Sequence, residues 1–414
     1  MTPSVIIIGG GFAGMAVART LDDRARVTVV SDQNFQLFSP MLAEVASGDL
    51  DPRHIITPIR QLAPRARVVS GVLESVDLPN RTVKVSRPFG LEPIELTGDV
   101  IVVALGSVPA TFGVEGVDEW ALPFKEIRDA LRVRNRIIAL LESATEEPDP
   151  RLTHVVIVGA GYSGAELAGA LADFLGESSR RYFTTAPKPR VTVVDAVDRV
   201  TPALSPRLSK SAERALTRRG VELVLGQKVQ AVTSSGVTLE SGRTIEAATV
   251  VWAAGVRPHP MATELGLPTE RGRIVVDGGL MAAPGIFVVG DVGLVPDGRG
   301  SISPPTAQFA LRQGKYLGRN LPRLLAGDRA PAFRYRTLGE LVSLGHRNAV
   351  GRVMGVPVSG FIGWFLWRTY YLMRLPGLLR KTRVALDWTL DLLFPPDVAW
   401  LPSSDLGHDV DSAP

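Results

Sequence analysis

The sequence predicts an α/β chain of two doubly wound domains with parallel sheets, followed by a helical region of different character. Three observations carry that expectation. The apolar run Val5-Ile6-Ile7-Ile8 leads straight into Gly9-x-Gly11-x-x-Gly14. The same features return at Val155-Val156-Ile157-Val158 with Gly159-x-Gly161-x-x-Gly164. From Phe361 onward the chain turns aromatic and basic. Branched apolar residues in succession suit a strand covered on both faces, as in a parallel sheet.

The glycine spacing has a physical meaning between a strand and a helix. The first glycine allows a sharp turn, the second lets the backbone approach a pyrophosphate, and the third lets the helix pack closely. The N–H groups at the start of that helix face the phosphates. In the first copy the helix continues through Ala16 to Leu21 and a strand follows at Arg26–Val30. Gly9, Gly11 and Gly14 form the phosphate turn, and Asp32, closing that strand in Ser31-Asp32, is assigned the ribose contact. In the second copy, Gly159, Gly161, Ser163 and Gly164 form the turn, Ala165–Phe174 the helix and Arg190–Val194 the strand. Asp195 follows, an acid placed to grip a ribose 2′-hydroxyl and disfavour a 2′-phosphate. The distance from Gly161 to Asp195 exceeds the usual ~20 residues, and Ser178–Pro189 is read as an insertion. Two such turns imply two Rossmann-like domains and two dinucleotides.

Between these landmarks, Asp32–Arg60 reads as a packed loop rich in proline and aromatics. Val68–Val76 and Thr82–Val85 form a small β excursion. Val100–Ser107 returns to the first sheet, setting Ala104 and Gly106 against the ligand, and Val250–Pro258 repeats this with Gly255. Ile127–Glu142 is read as a helix and Glu146–Pro150 as the linker into the second nucleotide domain. Within that domain Leu208–Arg218 is helical, Glu222–Leu225 a strand, and Val229–Val232 with Val237–Leu239 a hairpin. Gly285–Asp291 delivers Gly290 and Asp291 at the end of a buried strand, where an acid faces ligand or caps the next turn. Pro304 and Pro305 open a helix running to Leu321, so Ala307 and Gln308 lie near its N-terminus. N–H groups there stabilise an anion such as a reduced flavin.

Composition excludes several classes. A net charge of +4 is too small to argue for nucleic acid. The absence of cysteine removes disulfides, thiolate zinc sites, iron–sulfur ligation and redox-active thiols. Five histidines, His54, His154, His259, His346 and His408, show no ligand spacing, so no metal is expected. The initial apolar residues belong to the glycine turn with no basic segment before them, and no apolar stretch of ~20 residues exists. The expected location is the cytosol or the cytoplasmic face of a membrane.

Phe361–Leu375 carries two tryptophans, is broken by Arg368 and stops at Pro376. From Phe361 to Arg383 there are basic residues and no acidic one. Val384–Phe394 then places Arg383, Asp387 and Asp391 on one stripe, with Leu386, Trp388, Leu390 and Leu393 away from it. This pattern fits an amphipathic helical membrane-binding region; a core element, docking surface or dimer interface is the competing reading.

With these residues in place, the chain resembles the type II (non-proton-pumping) NADH dehydrogenases, flavoproteins with two dinucleotide-binding domains. The resemblance runs from Val5 to about Leu401. It is most specific at Asn34-Phe35…Phe38-Ser39-Pro40, Ala104-Leu105-Gly106-Ser107…Phe112-Gly113, Gly290-Asp291, Pro305-Thr306-Ala307-Gln308 and Ser359-Gly360-Phe361. It implies an FAD domain (1–121 and 257–330) interrupted by an NADH domain (122–256), with a membrane-associating region at 331–414. It further implies FAD and NADH as cofactors, hydride transfer from NADH to the flavin, and reoxidation by a membrane quinone. By position, Gly290-Asp291 would hold the ribityl–phosphate part of FAD. Glu166 would lie near the nicotinamide–flavin contact and Gln308 by the flavin and the quinone route. Arg312 stands where family members often have glutamine. Peripheral contact with an anionic membrane and a homodimer are compatible with this reading. A soluble NADH-dependent reductase of a small iron–sulfur protein is the alternative.

Overall fold

The computed structural model describes residues 2–328, 330–337 and 339–400; the last part of the expected C-terminal region, 401–414, lies outside them. The chain divides into two compact units. One comprises Met1–Leu37, Ile56–Val108 and Val256–Thr337, the other Phe38–Ile55, Pro109–Gly255 and Leu338–Pro414.

In the first unit the strand Ser4–Ile8 is central, paired in parallel with Arg26–Ser31 on one side and Val100–Val103 on the other. Arg67–Ser70 and Ile286–Val288 extend the sheet in parallel, and Met281–Ala283 pairs antiparallel at one edge. Val5, Ile7, Val29 and Val100–Val103 are fully buried, as the unbroken apolar runs require. The helices Phe12–Leu21 and Ala307–Leu325 pack closely together.

The second unit repeats this plan. His154–Val158 lies between Arg190–Asp195 and Thr249–Trp252, with Val221–Leu225 and Ala121–Pro123 outside, all parallel. The helix after the glycine turn runs from Tyr162 to Arg181. Its 20 residues, rather than an insertion beginning at Ser178, account for most of the long spacing to Asp195. The helix Ile127–Glu146 already belongs to this unit.

The segment expected as a loop after Asp32 contains regular structure. Phe35–Leu37 pairs with Ile56–Pro58, and Leu42–Ser47 is a buried helix in the second unit. Tertiary burial makes that helix: its six residues are all buried, packed against the helices Ile127–Glu146 and Tyr162–Arg181. Short segments lack the periodicity that would announce them.

The chain from Gly339 adds a three-stranded antiparallel sheet, Gly339–Ser343, Ala349–Val353 and Val356–Ser359, to the second unit. Two helices follow, Gly360–Arg374 and Leu378–Asp391. Leu375 leaves the helix in an extended conformation because Pro376 follows it. The second helix turns its acids inward: Asp387 pairs with His54, and Asp391 lies near Arg368 and His346. Val384 and Trp388 are buried, while Leu386 and Leu390 are exposed. Arg368 also points inward, its guanidinium 4.2 Å from the Trp364 ring centre and 4.6 Å from that of Trp388. It is therefore not among the cations on the outer face.

Candidate nucleotide sites

In the first unit the turn after Ile8 is built by contacts that exclude side chains. Gly9 has φ +117°, its N–H donates to the Val30 carbonyl at 2.8 Å, and a Cβ on it would stand 2.3 Å from the Ala104 carbonyl oxygen. A Cβ on Gly14 would stand 2.0 Å from the Gly9 carbonyl oxygen, so only glycine lets the helix approach this closely. Gly11 faces open space, which leaves backbone accessible to a phosphate. Ala104 donates its N–H to Ile8 at 2.8 Å, and Gly106 follows in a left-handed turn.

Gly290 and Asp291 lie just past the strand Ile286–Val288. The Ser107 hydroxyl donates to Asp291 Oδ2 at 2.7 Å, joining the Gly106 turn to this acid. Gln313, buried in the helix Ala307–Leu325, accepts the Gly290 N–H at 2.7 Å. Ala307 and Gln308 begin that helix, with Thr306 as its N-cap. The first unit thus gathers Gly9, Gly11, Gly14, Ala104, Gly106, Gly290, Asp291, Ala307 and Gln308 on elements of one unit. Gln313 was not singled out by sequence reasoning; a polar residue on the apolar side of an amphipathic helix is the signal that would have found it.

The second unit repeats the turn. Gly159 has φ +113° and donates to Val194 at 2.8 Å, and a Cβ on Gly164 would stand 1.8 Å from the Gly159 carbonyl oxygen. Gly161 faces open space, and Ser163 is exposed in the first turn of the helix. Asp195 Oδ2 accepts the Ala160 N–H at 2.5 Å and Oδ1 the Val197 N–H at 2.9 Å. The acid is thus fixed beside the glycine turn. Gly255 occupies the place that Gly106 holds in the first unit, three residues after the strand residue aligned with the central strand's end. The same registers align Ser31, rather than Asp32, with Asp195. Ser31 is buried beneath the turn, whereas Asp32 is exposed and accepts the Gln33 N–H.

Glu166 lies beyond the first helical turn, so the helix dipole gives little account of it. Its Oε1 accepts the Ser343 N–H at 3.3 Å. Burial pushes its carboxyl up to about 8, against the pull of that N–H and the Trp367 indole. Tyr162, on the same helix, donates its hydroxyl to Glu340 at 2.5 Å.

Residues 3–314 match the family described as pyridine nucleotide-disulphide oxidoreductase. The type II NADH:quinone oxidoreductase Ndh of Mycobacterium tuberculosis is 32% identical over 415 residues, covering 94% of this chain and 88% of that one. The chain belongs to this family, in its type II NADH:quinone oxidoreductase branch. An internal alternative NAD(P)H-ubiquinone oxidoreductase of Solanum tuberosum is 29% identical, covering 96% of this chain and 88% of that one. The structure of NDH2 from Plasmodium falciparum in complex with NADH superposes with a TM-score of 0.89 at 17% identity, over 96% of this chain and 100% of that one. That likeness establishes the fold. The disulphide of the family's description has no counterpart here, since the chain contains no cysteine.

This family member carries a second polar cluster, which sequence reasoning missed because its parts are far apart in the chain. Glu44 is buried and accepts the Trp388 Nε1–H at 3.1 Å. Burial, with Asp49 nearby, pushes it up to about 8 despite Arg368. His346 Nε2 lies 3.5 Å from Asp49 and 3.4 Å from Asp391, and Asp49 raises it to about 9. A carboxyl raised in the fold stabilises below its unfolded pKa and loses that contribution as pH rises through the folded one. The raised histidine behaves likewise, so stability falls as pH rises from the ordinary carboxyl value of 4.5 to about 8 through Glu44 and Glu166, and from the ordinary imidazole value of 6.5 to about 9 through His346. Glu44→Gln is expected to flatten the fall of Tm over that interval. Calorimetry at pH 5, 7 and 9 checks this; variant and wild-type curves falling in parallel would contradict it.

Proposed function

We propose that this chain is a membrane-peripheral flavoenzyme that oxidises NADH with bound FAD and delivers the electrons to a quinone, without proton pumping. The observation that carries the reading is the duplicated glycine turn, in a chain alike along nearly its whole length to a type II NADH:quinone oxidoreductase. Both turns fit a pyrophosphate, since Gly11 and Gly161 leave open space ahead of a helix N-terminus. We assign FAD to Gly9, Gly11, Gly14, the Ser31-Asp32 corner, Ala104, Gly106, Gly290, Asp291, Ala307 and Gln308. NADH is assigned to Gly159, Gly161, Ser163, Gly164, Asp195 and Gly255. Bound FAD supplies the redox chemistry, accepting a hydride equivalent and releasing electrons singly or in pairs. The chain supplies binding, orientation and charge: Gln313 and Ser107 hold the Gly290-Asp291 corner, and Glu166 holds a proton near neutral pH.

Anaerobic rapid mixing with NADH tests the first half, and steady-state turnover with a panel of quinones the second. A flavin that NADH does not bleach would end the reading. Asp195 favours NADH because its carboxylate repels a 2′-phosphate. Asp195→Asn keeps an acceptor for the Ala160 N–H and is expected to cut the preference for NADH over NADPH about tenfold, or about 1.4 kcal/mol. The ratio of kcat/KM for the two nucleotides reads this; an unchanged ratio would remove the role.

Membrane contact is assigned to the outer face of the two C-terminal helices, on the cytoplasmic side. Phe361, Ile362, Phe365, Leu378 and Leu379 are all more than half exposed there, with Arg374, Lys381 and Arg383 in the same helices. Exposed apolar side chains beside cations suit an anionic bilayer surface. Among the described residues no helix is long and apolar enough to cross a membrane. Self-association through this face is the competing arrangement, and liposome flotation beside sedimentation separates them.

A further inference from the structure

Three residues from distant parts of the chain meet within the second unit. Asp49 follows the helix Leu42–Ser47, His346 lies in the turn between the strands Gly339–Ser343 and Ala349–Val353, and Asp391 ends the helix Leu378–Asp391. His346 Nε2 stands 3.5 Å from Asp49 Oδ2 and 3.4 Å from Asp391 Oδ2. One ligand atom from each residue lies within 4.8 Å of the other two. We propose that Asp49, His346 and Asp391 form a zinc site that clasps the C-terminal helix to the rest of the second unit. The proposal stands apart from the NADH:quinone reaction. The spacing of the histidines does not announce it, since only one of them takes part.

Distances and donor types carry the assignment. Both separations exceed the roughly 2.7–3.2 Å of a formed N–H···O bond. They match the edge of a tetrahedron of ligands, about 3.4 Å when each bond to the metal is about 2.1 Å. Asp391 Oδ2 is buried with no hydrogen-bond donor, and its side chain is only 11% exposed, so a ligand atom is left without the partner it needs. Two carboxylates held this close repel each other unless a cation lies between them. An imidazole nitrogen beside two carboxylate oxygens suits zinc, whereas magnesium and calcium favour shells made of oxygen.

The surrounding structure holds the three ligands in place. The His346 backbone N–H donates to Asp173 Oδ2 at 2.6 Å, and its carbonyl accepts from Arg219 Nη2 at 2.6 Å. Gly345 at φ +90° and Arg347 at φ +57° flank it in a tight turn. The Ser47 hydroxyl donates to Asp49 Oδ2 at 2.9 Å, which orients that carboxylate. Arg219 is paired with Asp173. The Arg368 guanidinium, held against the Trp364 and Trp388 rings, stands 4.0 Å from Asp391, too far to satisfy its carboxylate alone. Asp49, His346 and Asp391 all line an open depression, and the His346 side chain is 45% exposed, so zinc can enter and its fourth position is open to water. His346 ligates as the neutral imidazole, and its proton leaves as zinc enters.

Calorimetric titration of the metal-stripped full chain with zinc chloride tests the site. One zinc per chain is expected. Affinity should be about a hundredfold or more weaker in His346→Gln and Asp391→Asn, since each loses a direct ligand. His54→Gln, at a histidine paired with Asp387 outside the cluster, should bind zinc as wild type does. Wild-type Tm should rise with zinc concentration, while that of the two ligand variants should not. Cobalt(II) supplies a readout that needs no variant: the intense visible bands of tetrahedral coordination are expected on wild-type protein, and weak octahedral bands would overturn the site. So would a wild-type chain that takes up no zinc, or zinc affinity unchanged in either ligand variant.

Discussion

Gly14→Val is expected to give a colourless protein, and Gly164→Val a yellow one that no longer responds to NADH. A Cβ at Gly14 would stand 2.0 Å from the Gly9 carbonyl oxygen, and one at Gly164 would stand 1.8 Å from that of Gly159. The obstacle in each case is backbone, so the helix must move away from its strand and carry its N–H groups off the phosphate position. Overpacking of this kind costs about 1–3 kcal/mol or more, which is about 5- to 150-fold in affinity before the lost phosphate contacts are counted. The pair also separates the two sites. Flavin absorbance per polypeptide after gel filtration reads the first, and NADH bleaching of the flavin reads the second. Loss of flavin from Gly164→Val with retention in Gly14→Val would reverse the nucleotide assignment.

Release from anionic liposomes is the second large effect expected, from the triple variant Phe361→Ser, Phe365→Ser, Leu379→Ser. These side chains are 59%, 57% and 65% exposed, so their removal leaves the core intact and Tm unchanged. Burying one large apolar side chain contributes about 1.5–3 kcal/mol. Losing three partial contributions lowers membrane affinity by about 4 kcal/mol, or about a thousandfold. The cations that remain add about 1 kcal/mol each near an anionic surface, so residual binding should weaken with salt. Flotation at low and high ionic strength measures both. Wild-type co-flotation of the variant would refute the assignment of this face to lipid.

Much of the fold was legible because it rests on local rules. Buried parallel strands need continuous apolar runs, and a nucleotide turn needs glycine where backbone meets backbone. Val5–Ile8 with Gly9 and Gly14, and Val155–Val158 with Gly159 and Gly164, satisfy both within a few residues. The helix Leu42–Ser47 was not legible, since six residues show little periodicity and owe their conformation to burial. The equivalence of Ser31 with Asp195 was hidden too, because strand register is set by pairing across the sheet.

The C-terminal helices show the same division. Alternation of apolar and charged residues indicated an amphipathic element, but only packing decided which face turned inward: Asp387, Asp391 and Arg368 lie against the protein, while Phe361, Leu386 and Leu390 face out. By itself the sequence determined the two nucleotide turns, the strands that lead into them and the absence of thiol chemistry, since each follows from residue type and short-range spacing. The tertiary structure alone decided the cluster of Glu44, Asp49, His346 and Asp391. Its members come from chain segments some 300 residues apart, and their charge states depend on burial, which no stretch of sequence contains.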